Sequence, residues 1–150
     1  MTLFSYPNCC SESPNYDPTA STEECDDYSG CEYMGDLAAF VTKDNPEGFV
    51  SFEFVTANNL VAFFDNSDPK GSNWFNHYAK KTIQITKKYN GKMYAFNATI
   101  ADTCGNSDCH GCCTINSKPS GYLVDMEYYT VMRNFGSTDA VAGSLSFVIF

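Results

Sequence analysis

Eight cysteines fall in two groups, Cys9, Cys10, Cys25 and Cys31, then Cys104, Cys109, Cys112 and Cys113, with none from 32 to 103. An even count confined to two segments predicts disulfides joining the N-terminal segment to the later loop, with the pairing left open. The rival is zinc, because Cys104-x4-Cys109-His110-x-Cys112-Cys113 holds enough thiolate and imidazole. It lacks a pair of CxxC knuckles, however, and adjacent cysteines suit separate disulfides better than one tetrahedron. The expectation is disulfides throughout, no metal and no cofactor, in an oxidising compartment. The start, MTLFSYPNCC, has neither the basic nor the apolar region of a signal peptide. The chain therefore reads as secreted, extracellular or in a cell wall, and used without its signal.

A chain of 150 residues that is 43% hydrophobic and 15% aromatic can bury a core, so it is not a disordered segment. A formal charge of −9, with Arg133 the sole arginine, argues against nucleic acid and against an anionic membrane surface. No apolar run approaches the roughly 18 residues of a spanning helix.

Residues 1–30 form one unit, a cysteine-containing N-terminal extension rich in prolines and small polar residues, and 31–150 form the domain proper. Strands are predicted at 33–42, 49–55 and 81–86, and Leu60 to Phe64 is either a buried strand or part of a buried helix. Asn90-Gly91 predicts a two-residue hairpin into 92–101, where Tyr94, Phe96, Ala98 and Ile100 alternate with polar or small residues. The alternation runs on to Asp102, which would put that acid on the apolar face. Asp125 is placed to cap a short helix over 126–134, with Gly136 ending it, and GSLSFVIF is a last strand. Six or seven strands and one or two short helices predict an all-β domain, a small closed barrel.

A strand, an Asn90-Gly91-Lys92 hairpin and a strand ending in Asp102-Thr103-Cys104-Gly105 precede the cysteine loop. Leu123-Val124-Asp125-Met126, a short helix ending in Phe135-Gly136 and a final apolar strand follow. This order resembles the six-stranded double-psi β-barrel of expansins, barwin-like proteins, loosenins, rare lipoprotein A domains and family-45 glycoside hydrolases. The likeness covers 80–150, with an echo of the first strand at Gly35-Asp36-Leu37-Ala38-Ala39-Phe40. It implies a groove with Asp102 and Asp125 at its floor, Asp125 standing where the hydrolases keep their general acid. Hydrolysis needs a second carboxylate. The resemblance places it just before paired cysteines, and here that residue is Asn8, followed by Cys9-Cys10. Ala39 and Cys104 also depart from the family's threonine and tyrosine. Each acid has a structural alternative, a helix cap for Asp125 and a carboxylate satisfied by loop amides for Asp102.

Sugar binding calls for aromatic faces among polar groups. Trp74 and Tyr78, in or beside the polar loop DNSDPKGSNWFNHY, are candidates, with Tyr122 and Tyr128 next. Asn97-Ala98-Thr99 is a glycosylation sequon. The expected function is a secreted, non-catalytic expansin-like module that binds a glucan or chitin-like polysaccharide. One alternative is a glycoside hydrolase or lytic transglycosylase using Asp125 as acid. Another is a self-associating subunit of an extracellular wall, matrix or filament.

Overall fold

The computed structural model describes residues 2–4, 18 and 34–150. Strands predominate. Six form one mixed sheet in the order β1-β7-β4-β6-β5-β8, which curls as a half-barrel, and β2 and β3 pair separately. The strands are β1 Thr2–Phe4, β2 Met34–Asp36, β3 Phe49–Ser51, β4 Leu60–Asp65, β5 Thr82–Tyr89, β6 Lys92–Asp102, β7 Tyr122–Glu127 and β8 Ser146–Ile149. Among the described residues four short helices interrupt them, α1 Phe52–Ala57, α2 Trp74–His77, α3 Cys112–Ser117 and α4 Tyr128–Phe135. That exceeds the one or two helices expected.

Several local expectations change. The predicted strand over 33–42 is only β2, followed by a 3-10 turn over Ala38–Phe40. The stretch 49–55 splits into β3 and α1, because the Ser51 hydroxyl accepts from Phe54 N and starts a helix there. Leu60 to Phe64 is a strand buried on both faces, the reason its periodicity was ambiguous. The hairpin forms as expected, with Asn90 and Gly91 both at positive φ, 48° and 75°.

The core divides by side-chain alternation. Val61 and Phe63 of β4, Val124 and Met126 of β7, Ile83 and Ile85 of β5, and Ala98 and Ile100 of β6 belong to the main cluster. The opposite face carries two smaller clusters, Leu60 and Ala101 in one, Phe64 and Leu123 in the other. Helix α4 seals the Leu60 end. Thr130, fully buried, accepts from Leu60 N at 2.8 Å and donates to Leu60 O at 3.2 Å. Thr130→Val keeps the shape and strands both backbone groups, so it should cost about 1–3 kcal/mol. Urea unfolding should show a lower midpoint at unchanged slope.

The cysteine expectation is corrected in its connectivity. Cys104 pairs with Cys113 and Cys109 with Cys112, so the second group closes on itself and does not join the N-terminal segment. Adjacent Cys112 and Cys113 do go to separate disulfides. Asn106 explains why the loop folds back. Its side chain donates to Thr114 Oγ1 and accepts from Thr114 N, while its carbonyl accepts from Gly111 N at 2.9 Å. Cys9, Cys10, Cys25, Cys31 and Asn8 lie outside the described residues. Residues 2–4, at the start of the expected 1–30 extension, pair in parallel with β7 as part of the main sheet. No helix among the described residues is long and apolar enough to cross a membrane.

Candidate functional site

The two candidate acids share one strand partner. Ala62 of β4 is in register with Asp102 of β6 on one side and with Asp125 of β7 on the other. The acids therefore stand in one row across three strands, with Cα atoms roughly 10 Å apart, two strand spacings. A bulge creates the row. Val61 faces Ile100, but Ala62 faces Asp102, which leaves Ala101 as an extra residue. The uninterrupted alternation expected for β6 would have kept Asp102 with Ile100 on the main-core face. The extra residue instead aligns it with Ala62, on the other face.

Neither acid has the cap role foreseen for Asp125. Asp125 lies inside β7, only 9% exposed, and the helix begins at Tyr128 rather than Met126. Glu127 is the cap, accepting from Tyr129 N at 2.7 Å and Thr130 N at 3.2 Å. The α4 helix does end on Gly136, at φ 75°, whose N–H reaches Met132 O at 3.0 Å. Asp102 matches its structural alternative. It is half-buried, and its Oδ1 accepts from Ala38 N at 3.2 Å in the turn after β2.

The aromatic candidates separate from the acids. Trp74 was the ring expected at the surface, because Asn73, Asn76 and His77 beside it are polar. Instead it is 5% exposed, inside the main core, and its Nε1 donates to Phe63 O at 2.8 Å. The polar neighbours take the outer side of the one-turn α2, and Phe75 is the exposed ring, at 53%. Tyr78 is half-buried, 4.7 Å from the Phe63 ring, and its hydroxyl donates to Asp65 Oδ2 at 2.5 Å. Tyr128 is half-buried against Tyr129.

Tyr122 remains available. It is 40% exposed, in register with Asp65, and its ring lies 5.6 Å from Phe63 and 5.5 Å, edge on, from Phe147. It walls a hollow of about 240 Å³ with Phe147, Leu145, Asn116, Ser120 and Ser144. Alternation puts Tyr122 on the side of Val124 and Met126, opposite Asp125. Tyr78 and Tyr122 thus both lie against Phe63 on the main-core side, while Asp102 and Asp125 share the other face.

A second hollow, of about 370 Å³, lies beyond the ends of β4 and β6, among Asp65, Asp68, Lys70, Thr103 and Asn106. Burial would raise the Asp65 carboxyl, but hydrogen bonds from Ser67 and Tyr78 outweigh it and hold the group below its ordinary value. Burial and the Asp65 carboxylate push the Tyr78 hydroxyl well up. That pair is a fixed hydrogen bond, not a proton donor near neutral pH. Asn97 is exposed on β6, open to a glycan, and His77 and His110 are exposed too.

Two titratable groups escaped the sequence reading. Glu127 is 1% exposed, and burial raises its carboxyl from 4.5 to about 7 against the pull of the Thr130, Tyr129 and Tyr128 amides and of Arg133. Lys87 is 4% exposed, held below the ordinary lysine value by burial, and donates to Ala142 O and Ser144 O. Both were within reach of the period of two. Lys87 continues Ile83 and Ile85, and Glu127 continues Leu123 and Asp125.

The chain matches no family model, no curated protein and no solved structure.

Proposed function

We propose that the chain is a secreted, non-catalytic module of expansin-like or barwin-like kind, built on a double-psi β-barrel, that binds a glucan or chitin-like wall polysaccharide. The observation that carries it is Tyr122, a part-exposed ring braced by Phe63 and Phe147 over a polar-rimmed hollow. A sugar's C–H face stacks on such a ring while Asn116, Ser120 and Ser144 meet its hydroxyls. The barrel assignment is supported by a mixed sheet with two parallel pairs, β1/β7 and β4/β6, between non-consecutive strands. Disulfides in the cysteine loop support an oxidising compartment.

The non-catalytic reading follows from the division between faces. A glycosidase needs an acid beside the leaving oxygen and a second group across the sugar. Here Asp125 and Asp102 lie on the opposite face from Tyr122, and Asp102 already accepts from Ala38 N. Tyr122→Ala should weaken adsorption to insoluble wall polysaccharide by about 1–2 kcal/mol without altering the far-UV circular dichroism. Unchanged adsorption would remove this hollow as the binding surface.

One observation favours the hydrolase or lytic transglycosylase reading, the Asp125–Ala62–Asp102 row. From Cα atoms about 10 Å apart, carboxyl groups can reach the ~6.5–9.5 Å of inverting enzymes. Soluble glucans and chitin oligomers should nevertheless yield no reducing ends above background. Sustained release that disappears in Asp125→Asn would put the enzyme first.

A further inference from the structure

The loop 104–113 gathers its sulfurs more tightly than two disulfides require. All four Sγ atoms of Cys104, Cys109, Cys112 and Cys113 lie within 4.8 Å of one another. Across the two bridges, Cys109 Sγ is 4.0 Å from Cys113 Sγ. A disulfide pair needs each sulfur beside its own partner, not all four around one point. In a tetrahedral tetrathiolate, zinc–sulfur bonds of about 2.3 Å set the sulfurs roughly 3.8 Å apart. Reduction must therefore part each bonded pair, while Cys109 and Cys113, bonded to different partners, already stand near that spacing.

We propose that these four cysteines, once reduced, form a tetrathiolate site for a soft divalent ion, zinc. The bridges are not the loop's only support. Asn106 clasps Thr114 through both ends of its amide and takes Gly111 N on its carbonyl. Cys113, fully buried, is anchored between Phe64 and Leu123. Those contacts survive reduction and keep the sulfurs gathered. His110 is exposed, and it is not one of the gathered group. The ligand set is thus all sulfur, which selects zinc over harder ions.

The chemistry balances with a dithiol as reductant. Each protein disulfide takes up two electrons and two protons, and each dithiol leaves as a cyclic disulfide. Zinc then displaces four protons from the four thiols. The inference concerns the reduced chain, whereas the polysaccharide reading concerns the oxidised one, and neither rests on the other's ligand.

The test uses the full-length chain with Cys9, Cys10, Cys25 and Cys31 changed to Ser, so that only the second group can respond. Reduced by a phosphine without air and titrated with Co²⁺, it should bind one ion per chain. Tetrahedral d–d bands and a thiolate-to-cobalt charge-transfer band should appear, and Zn²⁺ should abolish both. Adding Cys109→Ser and Cys112→Ser should remove the bands. Their absence from the four-serine chain, or their persistence after the second pair of changes, overturns the proposal. If the four-serine chain does not fold, alkylation of the reduced parent is mapped by peptide mass. Zinc should then slow labelling of Cys104, Cys109, Cys112 and Cys113 at least tenfold, and equal rates with and without zinc overturn it.

Discussion

Trp74→Ala should destabilise the fold by about 3–5 kcal/mol, the loss expected when a large buried ring leaves a cavity. Two costs combine. The ring is 5% exposed among main-core residues, so its removal opens a void beside Phe63. The Phe63 carbonyl also loses the indole N–H at 2.8 Å. Trp74→Phe separates them in part, because it keeps one aromatic ring and leaves a smaller void, while the lost donor costs about 1–2 kcal/mol. Trp74 is the only tryptophan, so urea unfolding is followed by circular dichroism. A Trp74→Ala chain as stable as the parent, but poorer at holding polysaccharide, would return this ring to the surface.

Glu127 should make stability fall as pH rises, the reverse of an ordinary capping acid. Its folded value, about 7, lies above the unfolded 4.5, so the fold binds the proton more tightly than the unfolded chain. The stability it contributes is complete below about pH 4.5 and is lost as pH rises through about 7. A shift of that size corresponds to roughly 3 kcal/mol. Glu127→Gln keeps an oxygen for Tyr129 N and Thr130 N but cannot ionise. Comparing parent and variant cancels the other carboxyl groups, which titrate in both. Between pH 4.5 and 7 the parent should lose about 3 kcal/mol relative to Glu127→Gln in urea unfolding. Parallel curves would show that the carboxyl is not desolvated.

Much of the sheet was legible because period and punctuation agree there. Ile83 and Ile85, the Asn90-Gly91 turn and Phe96 to Ile100 each point to one hairpin, and it forms in that register. The region 49–57 was not legible. Its apolar residues suit either period, and Ser51 decides locally by capping α1. Trp74 misled for a related reason: in a one-turn helix, polar neighbours mark the outer side, not the direction of the ring between them. Asp102 depended on a single unpaired residue, Ala101, which no local pattern announces. The row it forms with Asp125 is a tertiary fact, set by which strands flank β4.

Cysteine spacing carried the chemistry but not the pairing. The return of Cys113 to Cys104 depends on Asn106 and Thr114, whose clasp folds the loop back on itself. The cap moved two residues, from Asp125 to Glu127, because β7 runs on as a partner for β4 and β1 before the helix begins.

Adsorption of the intact, oxidised chain to insoluble β-glucan and chitin, read as protein lost from the supernatant against polymer load, tests polysaccharide binding most directly. The expected result is saturable depletion, reversed by soluble oligosaccharide of the same polymer and weakened in Tyr122→Ala. A chain that stays in the supernatant at every load of every wall polymer would contradict it.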